Sequence, residues 1–383
     1  MRIAIIYETT FPEFKGGVER WFSQLASGLA GNSIQVIYLN GNGRNENAIN
    51  LEYRPLERIR ESFHETGARS AQNAISYTLA TLYSLKKIDA EVLYLSSYPF
   101  LHIWAARIFR ITSKRKYRIY VEWFELPTLN YWKRKYGFLF GTFGFTIQQL
   151  TLRLGDVNVS HLDSTKDFLQ KRQTRKQKII KLPGVCTFEN TAKLTKKNMG
   201  KKDICQIGRL TQDKQPLLSL EAIKKLKEKG WRGHFHLLGS GPLEQSVLSY
   251  IRNNRMSEYV TAYGDGSDEL RTEILEKSAT LLHPSIREGF GLAIVEAAQF
   301  GVPSILIKGE DNKSIELGIN PTLVSEKSDA AEIAGLLQNS LDKHKEYSKE
   351  CERWIRHKGS KMLAIDSIMQ LTRHFQSLVA SRK

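Results

Sequence analysis

Two carboxylates, Glu288 and Glu296, stand eight positions apart in Ser285-Ile286-Arg287-Glu288-Gly289-Phe290-Gly291-Leu292-Ala293-Ile294-Val295-Glu296. The run over 292–299 predicts a helix that is apolar on almost every side, and such a helix is buried. A carboxylate inside it is costly unless something hydrogen-bonds to it. Gly289 and Gly291 let backbone N–H groups approach a ligand closely, and the helix start adds donors and a partial positive charge. A carboxylate at each end, with bare backbone donors between, suits a ligand rich in hydroxyls that also carries phosphate. A nucleotide sugar is such a ligand. The ordinary alternative is a buried helix whose Glu296 pairs with a Lys or Arg.

The elements that must hold these residues follow from the punctuation around them. A short apolar strand over 279–283 is stopped by Pro284, and Gly301-Val302-Pro303 separates the helix from a strand over 304–307. Three more stretches pair a strand with glycines and a following helix, which presents N–H groups to an anion. They are strand 3–7, Gly16-Gly17 and helix 18–30; strand 204–207, Gly208-Arg209-Leu210 with Lys214 and helix 217–229; and strand 234–238, Gly239-Ser240-Gly241-Pro242 and a helix to 250. In between, strands are expected at 34–39, 91–95, 117–122, 156–160, 178–182 and 260–263. Helices are expected at 71–85, 98–109, 136–154 and 164–171, and a helical tail over 329–378, while 41–65 fits no regular pattern. Short strands alternating with helices imply parallel, doubly wound sheets.

The Glu-x7-Glu stretch resembles the motif of the family 4 retaining glycosyltransferases. Gly16-Gly17, Gly208-Arg209-Leu210 with Lys214, Gly239-Ser240-Gly241-Pro242 and Pro183-Gly184-Val185 match that family's other motifs in its order. The resemblance implies an α/β fold of the GT-B type, two Rossmann-like doubly wound domains facing each other across a cleft. It divides the chain into an acceptor-binding domain (1–185), a linker (186–202), a nucleotide-sugar-binding domain (203–358) and a C-terminal helix (359–383) that returns to the first domain. It also implies roles. Glu288 lies against the donor sugar and, with Arg209 and Lys214 on the diphosphate, makes the catalytic set. Glu296 takes the two ribose hydroxyls. Gly16 and Gly17 face the donor phosphates, and Gly208, Gly239, Gly289, Phe290, Gly291 and Leu292 line the donor, with the base near 264–267.

Three departures stand out. Gln215 replaces the usual Gly after the Lys, and Lys308-Gly309-Glu310-Asp311-Asn312 replaces a common Gly-Gly turn. Phe124 occupies the place where relatives often carry a His, and Glu125 beside it is the candidate acidic group on the acceptor or sugar side. Phe can stack or exclude water, and it cannot exchange a proton.

At 383 residues the chain exceeds one usual core, so two domains are expected. Three cysteines, far apart and without C-x-x-C spacing, argue against a disulfide framework and fit a reducing cytosol. The chain opens directly on a strand with no signal-peptide pattern, so a cytoplasmic protein is expected, with a peripheral place at the inner face of the membrane as the alternative. No Asp-x-Asp pair and no His/Cys cluster offers metal-ligand spacing, so neither metal nor cofactor is expected beyond the nucleotide-sugar substrate. Fixed cations then neutralise the departing diphosphate, and the resemblance implies front-face attack, with the leaving phosphate taking the acceptor proton.

The net charge of +17 is uneven: +14 falls in residues 1–200 and +3 in the rest. This excess suits a glycan or lipid-linked acceptor of anionic character, as in cell-surface polysaccharide or glycoconjugate synthesis, and an anionic membrane surface. Tyr131-Trp132-Lys133-Arg134-Lys135-Tyr136, running into 137–147, has the composition of an interfacial segment. The preferred reading of its apolar spacing, however, is a helix whose Leu139, Phe143, Ile147 and Leu150 face the core. Nucleic acid is not expected, because neither a recognition helix nor an aromatic sheet motif accompanies the charge. A non-catalytic partner subunit that keeps the fold and a nucleotide-sugar epimerase are the alternatives to a transferase.

Overall fold

Val92–Ser96 and Ser278–His283 are buried at every position, so each strand is covered on both faces, as parallel sheets require. The computed structural model describes residues 1–9, 11, 16–41, 48–56, 71–113, 116–185, 202–319, 322–326 and 329–380. Contacts divide the chain into one unit of Met1–Thr187 with Met362–Lys383, and a second of Phe188–Lys361.

The first unit runs β1 (Arg2–Ile6), α1 (Gly17–Gly31), β2 (Gln35–Asn40), β3 (Leu51–Pro55), α2 (Ala71–Lys87), β4 (Val92–Ser96) and α3 (Leu101–Thr112). It continues with β5 (Arg118–Trp123), α4 (Leu129–Tyr136), α5 (Phe138–Thr151), β6 (Val157–Ser160), α6 (Asp163–Gln170) and β7 (Lys178–Lys181). Its seven strands are parallel in the order β3-β2-β1-β4-β5-β6-β7. The strand order reverses between β1 and β4, and open α/β sheets take ligands at the carboxyl ends beside such a reversal. The loop after β1 leads to Gly16-Gly17.

The second unit runs β8 (Asp203–Ile207), α7 (Pro216–Glu228), β9 (Phe235–Leu238), α8 (Glu244–Asn253), β10 (Val260–Ala262), α9 (Asp268–Lys277) and β11 (Ser278–His283). Then come β12 (Arg287–Glu288), α10 (Leu292–Gln299), β13 (Ser304–Ile307), β14 (Asp311–Asn312), β15 (Thr322–Ser325), α11 (Ala330–Asp342) and α12 (His344–His357). Six parallel strands take the order β10-β9-β8-β11-β13-β15, and β12 pairs with β14 in a separate parallel ribbon. Here the reversal lies between β8 and β11. The loops leaving those two strands carry Lys214 and Glu288.

The last helix, α13 (Ala364–Ala380), belongs to the first unit. Ser367 Oγ accepts from Gly184 N (3.2 Å) and donates to Gly184 O, and Tyr120 Oη lies 2.8 Å from His374 Nε2. Leu371 and Phe375 are fully buried there.

Four expectations change. The helix foreseen over 136–154 is α5, shorter at both ends, and a further helix, α4, precedes it across Gly137, whose φ of +79° separates the two. The stretch over 41–65 contains β3, the edge strand of its sheet. The helical tail is α11, α12 and α13. Most plainly, Leu139, Phe143 and Leu150 of α5 do not face the core: they are 77%, 65% and 46% exposed, and only Ile147 packs partly against it. The stripe that faces inward holds Gly141 and Gln148, with Gly144 seated on the Trp132 ring.

Candidate active site

The β8 and β11 loops meet through the Lys214–Glu288 ion pair and a backbone hydrogen bond. β8 ends at Ile207, and Leu210, 1% exposed, anchors the turn that follows. Its N–H donates to Ser240 O (2.8 Å) and its carbonyl accepts from Leu243 N (3.0 Å). A Cβ on Gly239 (φ +140°) would sit 2.1 Å from Gly208 O, so the two turns interlock only with glycine there. Arg209, between the anchored residues, extends into solvent.

A short 3-10 turn, Gln212–Lys214, follows, and buried Gln206 donates from Nε2 to Lys214 O (2.9 Å), fixing the backbone that carries the ammonium. Gln215 then adopts φ 47°, ψ 50°, the left-handed conformation that glycine takes at lowest cost, before Pro216 opens α7. The chain thus keeps the expected backbone shape at 215 despite the different residue.

Lys214 Nζ donates to Glu288 Oε2, and His283 Nε2 lies 2.8 Å from the same oxygen. Ser285 Oγ approaches His283 Nε2 at 3.1 Å, and Ile286 N donates to Asp213 O (3.0 Å), tying the two loops together. Burial alone would raise the Glu288 pKa, but Lys214 and His283 outweigh it and hold the carboxyl far below the usual range. Burial, followed by the Lys214 charge, pushes His283 below its ordinary value in spite of Glu288. At neutral pH Glu288 is therefore a carboxylate and His283 a neutral imidazole.

The β12–β14 ribbon holds Glu288 from behind. Lys313 N donates to Glu288 O (2.8 Å). Asn312, 4% exposed, donates from Nδ2 to Ser285 O (3.1 Å) and Ile307 O (2.9 Å), while its Oδ1 accepts from Ser314 Oγ (2.6 Å). Asn312 thus staples the loop at the place where the resemblance led us to expect a Gly-Gly turn.

Beyond Glu288, Gly289 and Phe290 are buried, Gly291 (φ +74°) is the N-cap of α10, and Leu292 begins the helix half-buried. A Cβ on Gly291 would lie 2.7 Å from Ser314 Cβ. Gly291 brings no side-chain cap to α10, and Ile294 N donates to Gly291 O (3.0 Å). Glu296, one turn further on, is 2% exposed, and both its oxygens accept from Arg271 Nη1 (3.3 and 3.1 Å). The ordinary expectation of a cation partner is what the structure contains. A grip on ribose hydroxyls would require Glu296 to share its oxygens with Arg271.

In the first unit, Gly16 is the N-cap of α1, and a Cβ there would fall 1.9 Å from the Glu19 carboxylate. Glu19 Oε1 also accepts from Thr9 Oγ1 (3.2 Å). The helix start that was expected to face phosphate therefore has an acid of its own, beside Gly17 in the first turn. At the ends of β5 and β6, Glu122 is fully buried and accepts from Trp21 Nε1 (2.8 Å), with His161 Nε2 at 2.6 Å. Phe124 stacks on His161 (5.3 Å, 15° between planes) and meets Phe22 edge-on. Glu125, half-buried, follows it. Burial and the Glu122 charge push the Tyr94 hydroxyl well up.

The sequence reading thus missed His283, Asn312 and Arg271 in the second unit, and Glu122, Trp21 and His161 in the first. The positions of Glu122 and His283 at carboxyl ends of strands were the available signal. Among the described residues no group of three or more His, Cys, Asp or Glu could hold a metal.

Sucrose-phosphate synthase from Thermosynechococcus elongatus superposes with a TM-score of 0.77 at 15% identity, over 99% of both chains. WaaG, a glycosyltransferase involved in lipopolysaccharide biosynthesis, superposes at 0.72 and 14% identity, over 97% of this chain and 98% of that one. The fold is GT-B. Within this GT-B chain, residues 187–358 match the family model of glycosyl transferases group 1. The putative colanic acid biosynthesis glycosyltransferase WcaL of Escherichia coli K12 is 27% identical over 165 residues. That match spans 41% of the GT-B chain and 40% of its relative.

Proposed function

We propose that this chain is a retaining glycosyltransferase that moves a sugar from a nucleotide-sugar donor to a glycan or lipid-linked acceptor. The observation that carries the reading is the Lys214–Glu288 pair at the strand-order reversal of the second unit, with Arg209 exposed on the same turn. A sugar diphosphate presents hydroxyls and two phosphates together. Glu288, kept ionised, can accept from sugar hydroxyls and stabilise the positive charge that develops on the anomeric carbon. Lys214 and Arg209 can take the charge shed onto the leaving diphosphate, which removes the need for a metal. In front-face attack the leaving phosphate oxygen takes the acceptor's proton, so no side chain has to serve as base. The family match over 187–358, the likeness to WcaL and the GT-B fold support this reading.

The acceptor belongs to cell-surface polysaccharide or glycoconjugate synthesis on this reading, in keeping with the likeness to WcaL, a putative colanic acid biosynthesis glycosyltransferase, and to WaaG, involved in lipopolysaccharide biosynthesis. The basic excess of residues 1–200 favours an acceptor with phosphate or carboxylate. A cytoplasmic location fits two buried free thiols, Cys205 and Cys351.

A thermal-shift screen of nucleotide sugars tests the donor, because a ligand that binds the folded state raises Tm. Lys214→Ala and Arg209→Ala are each expected to lower kcat about 10²–10³-fold, the range for losing one transition-state donor. No shift with any nucleotide sugar, together with unchanged transfer by Glu288→Ala, would end the proposal. Binding without transfer to any acceptor would instead favour a non-catalytic partner, for which Phe124 in place of His is the specific hint.

A further inference from the structure

Helix α5 is built inside out. Its inward stripe runs through Gly141, Gly144 and Gln148, and Gln148 spends its amide on buried Trp132 Nε1 (2.9 Å) and Pro127 O (3.1 Å). Its outward stripe, one side of the same helix, is Leu139, Phe143 and Leu150. Phe138 and Phe140 at its start are 68% and 77% exposed. The two glycines let α4 press against α5, since a Cβ on Gly141 would sit 2.5 Å from Trp132 O and one on Gly144 2.4 Å from the Trp132 ring. While Phe145 and Ile147 pack partly against the core, packing against α4 thus turns Leu139, Phe143 and Leu150 outward. Burying them in the protein would have been favourable, and in water each exposed Phe or Leu forfeits that gain.

The segment that carries this face holds charge of one sign only. From 126 to 155 there is no Asp or Glu, while Lys133, Arg134, Lys135 and Arg153 are present. Lys133 Nζ lies 4.5 Å over the Phe138 ring. Trp104 of α3 donates to Thr151 Oγ1 of α5 (2.8 Å), and α3 exposes Ile108 and Ile111.

We propose that α5, with the cations of α4, docks the protein onto an anionic lipid bilayer. At 14 residues α5 is about 21 Å long, short of the roughly 30 Å hydrocarbon core, so it lies in the interface plane and does not cross. No helix among the described residues is long and apolar enough to span. Aromatic and aliphatic side chains enter the acyl boundary while the Lys and Arg groups meet lipid phosphates. A second copy is the poorer occupant, because a two-fold contact would bring the same cations face to face. The inference goes beyond sugar transfer and holds without it.

Vesicle flotation of the full chain, with no donor present, tests it. Wild-type protein is expected to float with phosphatidylcholine vesicles containing phosphatidylglycerol and hardly at all with phosphatidylcholine alone. Leu139→Ser/Phe143→Ser should cut the partition coefficient about tenfold or more. Arg134→Gln and Lys135→Gln should each cut it about fivefold, an effect that salt erases in wild type. All four side chains lie on or beside the exposed face, so Tm should be unchanged; the donor thermal shift, read separately, reports on the transferase reading alone. Equal flotation by both vesicle types, or by wild type and the apolar variant, would overturn the proposal. So would a wild-type dimer that the apolar variant dissolves and that ignores vesicles.

Discussion

Glu288 is held ionised by Lys214 and His283, and that grip makes folding stability depend on pH. Its folded pKa lies far below 4.5, so the unfolded chain takes up the proton first as pH falls. The stability it contributes is complete above about pH 4.5 and drains away as pH drops toward the folded value. Glu288→Gln removes the titrating group. Its Tm, measured from about pH 5 to pH 3, is expected to fall less steeply than that of wild type; a steeper fall would mean that the carboxyl is not held low. Lys214 and Glu288 were both legible in the sequence because each sits at a fixed spacing inside a glycine-marked turn. His283 was not, since it ends an apolar strand and nothing local separates it from its neighbours. Asn312 was hidden for a related reason: its side-chain hydrogen bonds run to segments up to 27 positions away, and sequence spacing carries no trace of them.

Helices α9 and α10 are joined by Arg271 and Glu296, both largely out of solvent. Arg271→Met leaves the carboxylate buried without its cation, and breaking a buried pair by removing one partner costs about 3–5 kcal/mol. Chemical denaturation should show that loss, and Arg271→Met/Glu296→Leu should recover much of it; no recovery would mean that the pair is not the source. The strand and helix order was legible throughout because period and punctuation are local properties. The direction in which α5 faces was not. Leu139, Phe143, Ile147 and Leu150 have the spacing of a core stripe, and that pattern is satisfied equally by a face turned to a nonaqueous surface outside the protein. What decided the matter was Trp132, which needs the two glycines close to it. The helix before α5, α4, was not foreseen either; a positive φ at Gly137 separates the two.

Each unit has its own core, and the first is completed by residues that follow the second in the chain. Removing 362–383 strips Leu371 and Phe375 from the first unit and leaves Gly184 without Ser367. Scanning calorimetry of such a truncation should show one transition moved down by several degrees, since losing two buried large side chains costs several kcal/mol, and the other unmoved. A uniform shift of both would show that the units melt together. The fold class was accessible from alternation alone, and the motifs in their order narrowed it to GT-B.

The bond pair between Ser367 and Gly184 also bears on how the protein is made. A nascent chain emerges at roughly 5–20 residues per second, and N-terminal domains ordinarily finish folding first. Here the sheet made before the second unit waits for its closing helix until all of 188–361 has left the ribosome. The later unit is therefore free to mature first, reversing the usual order of birth.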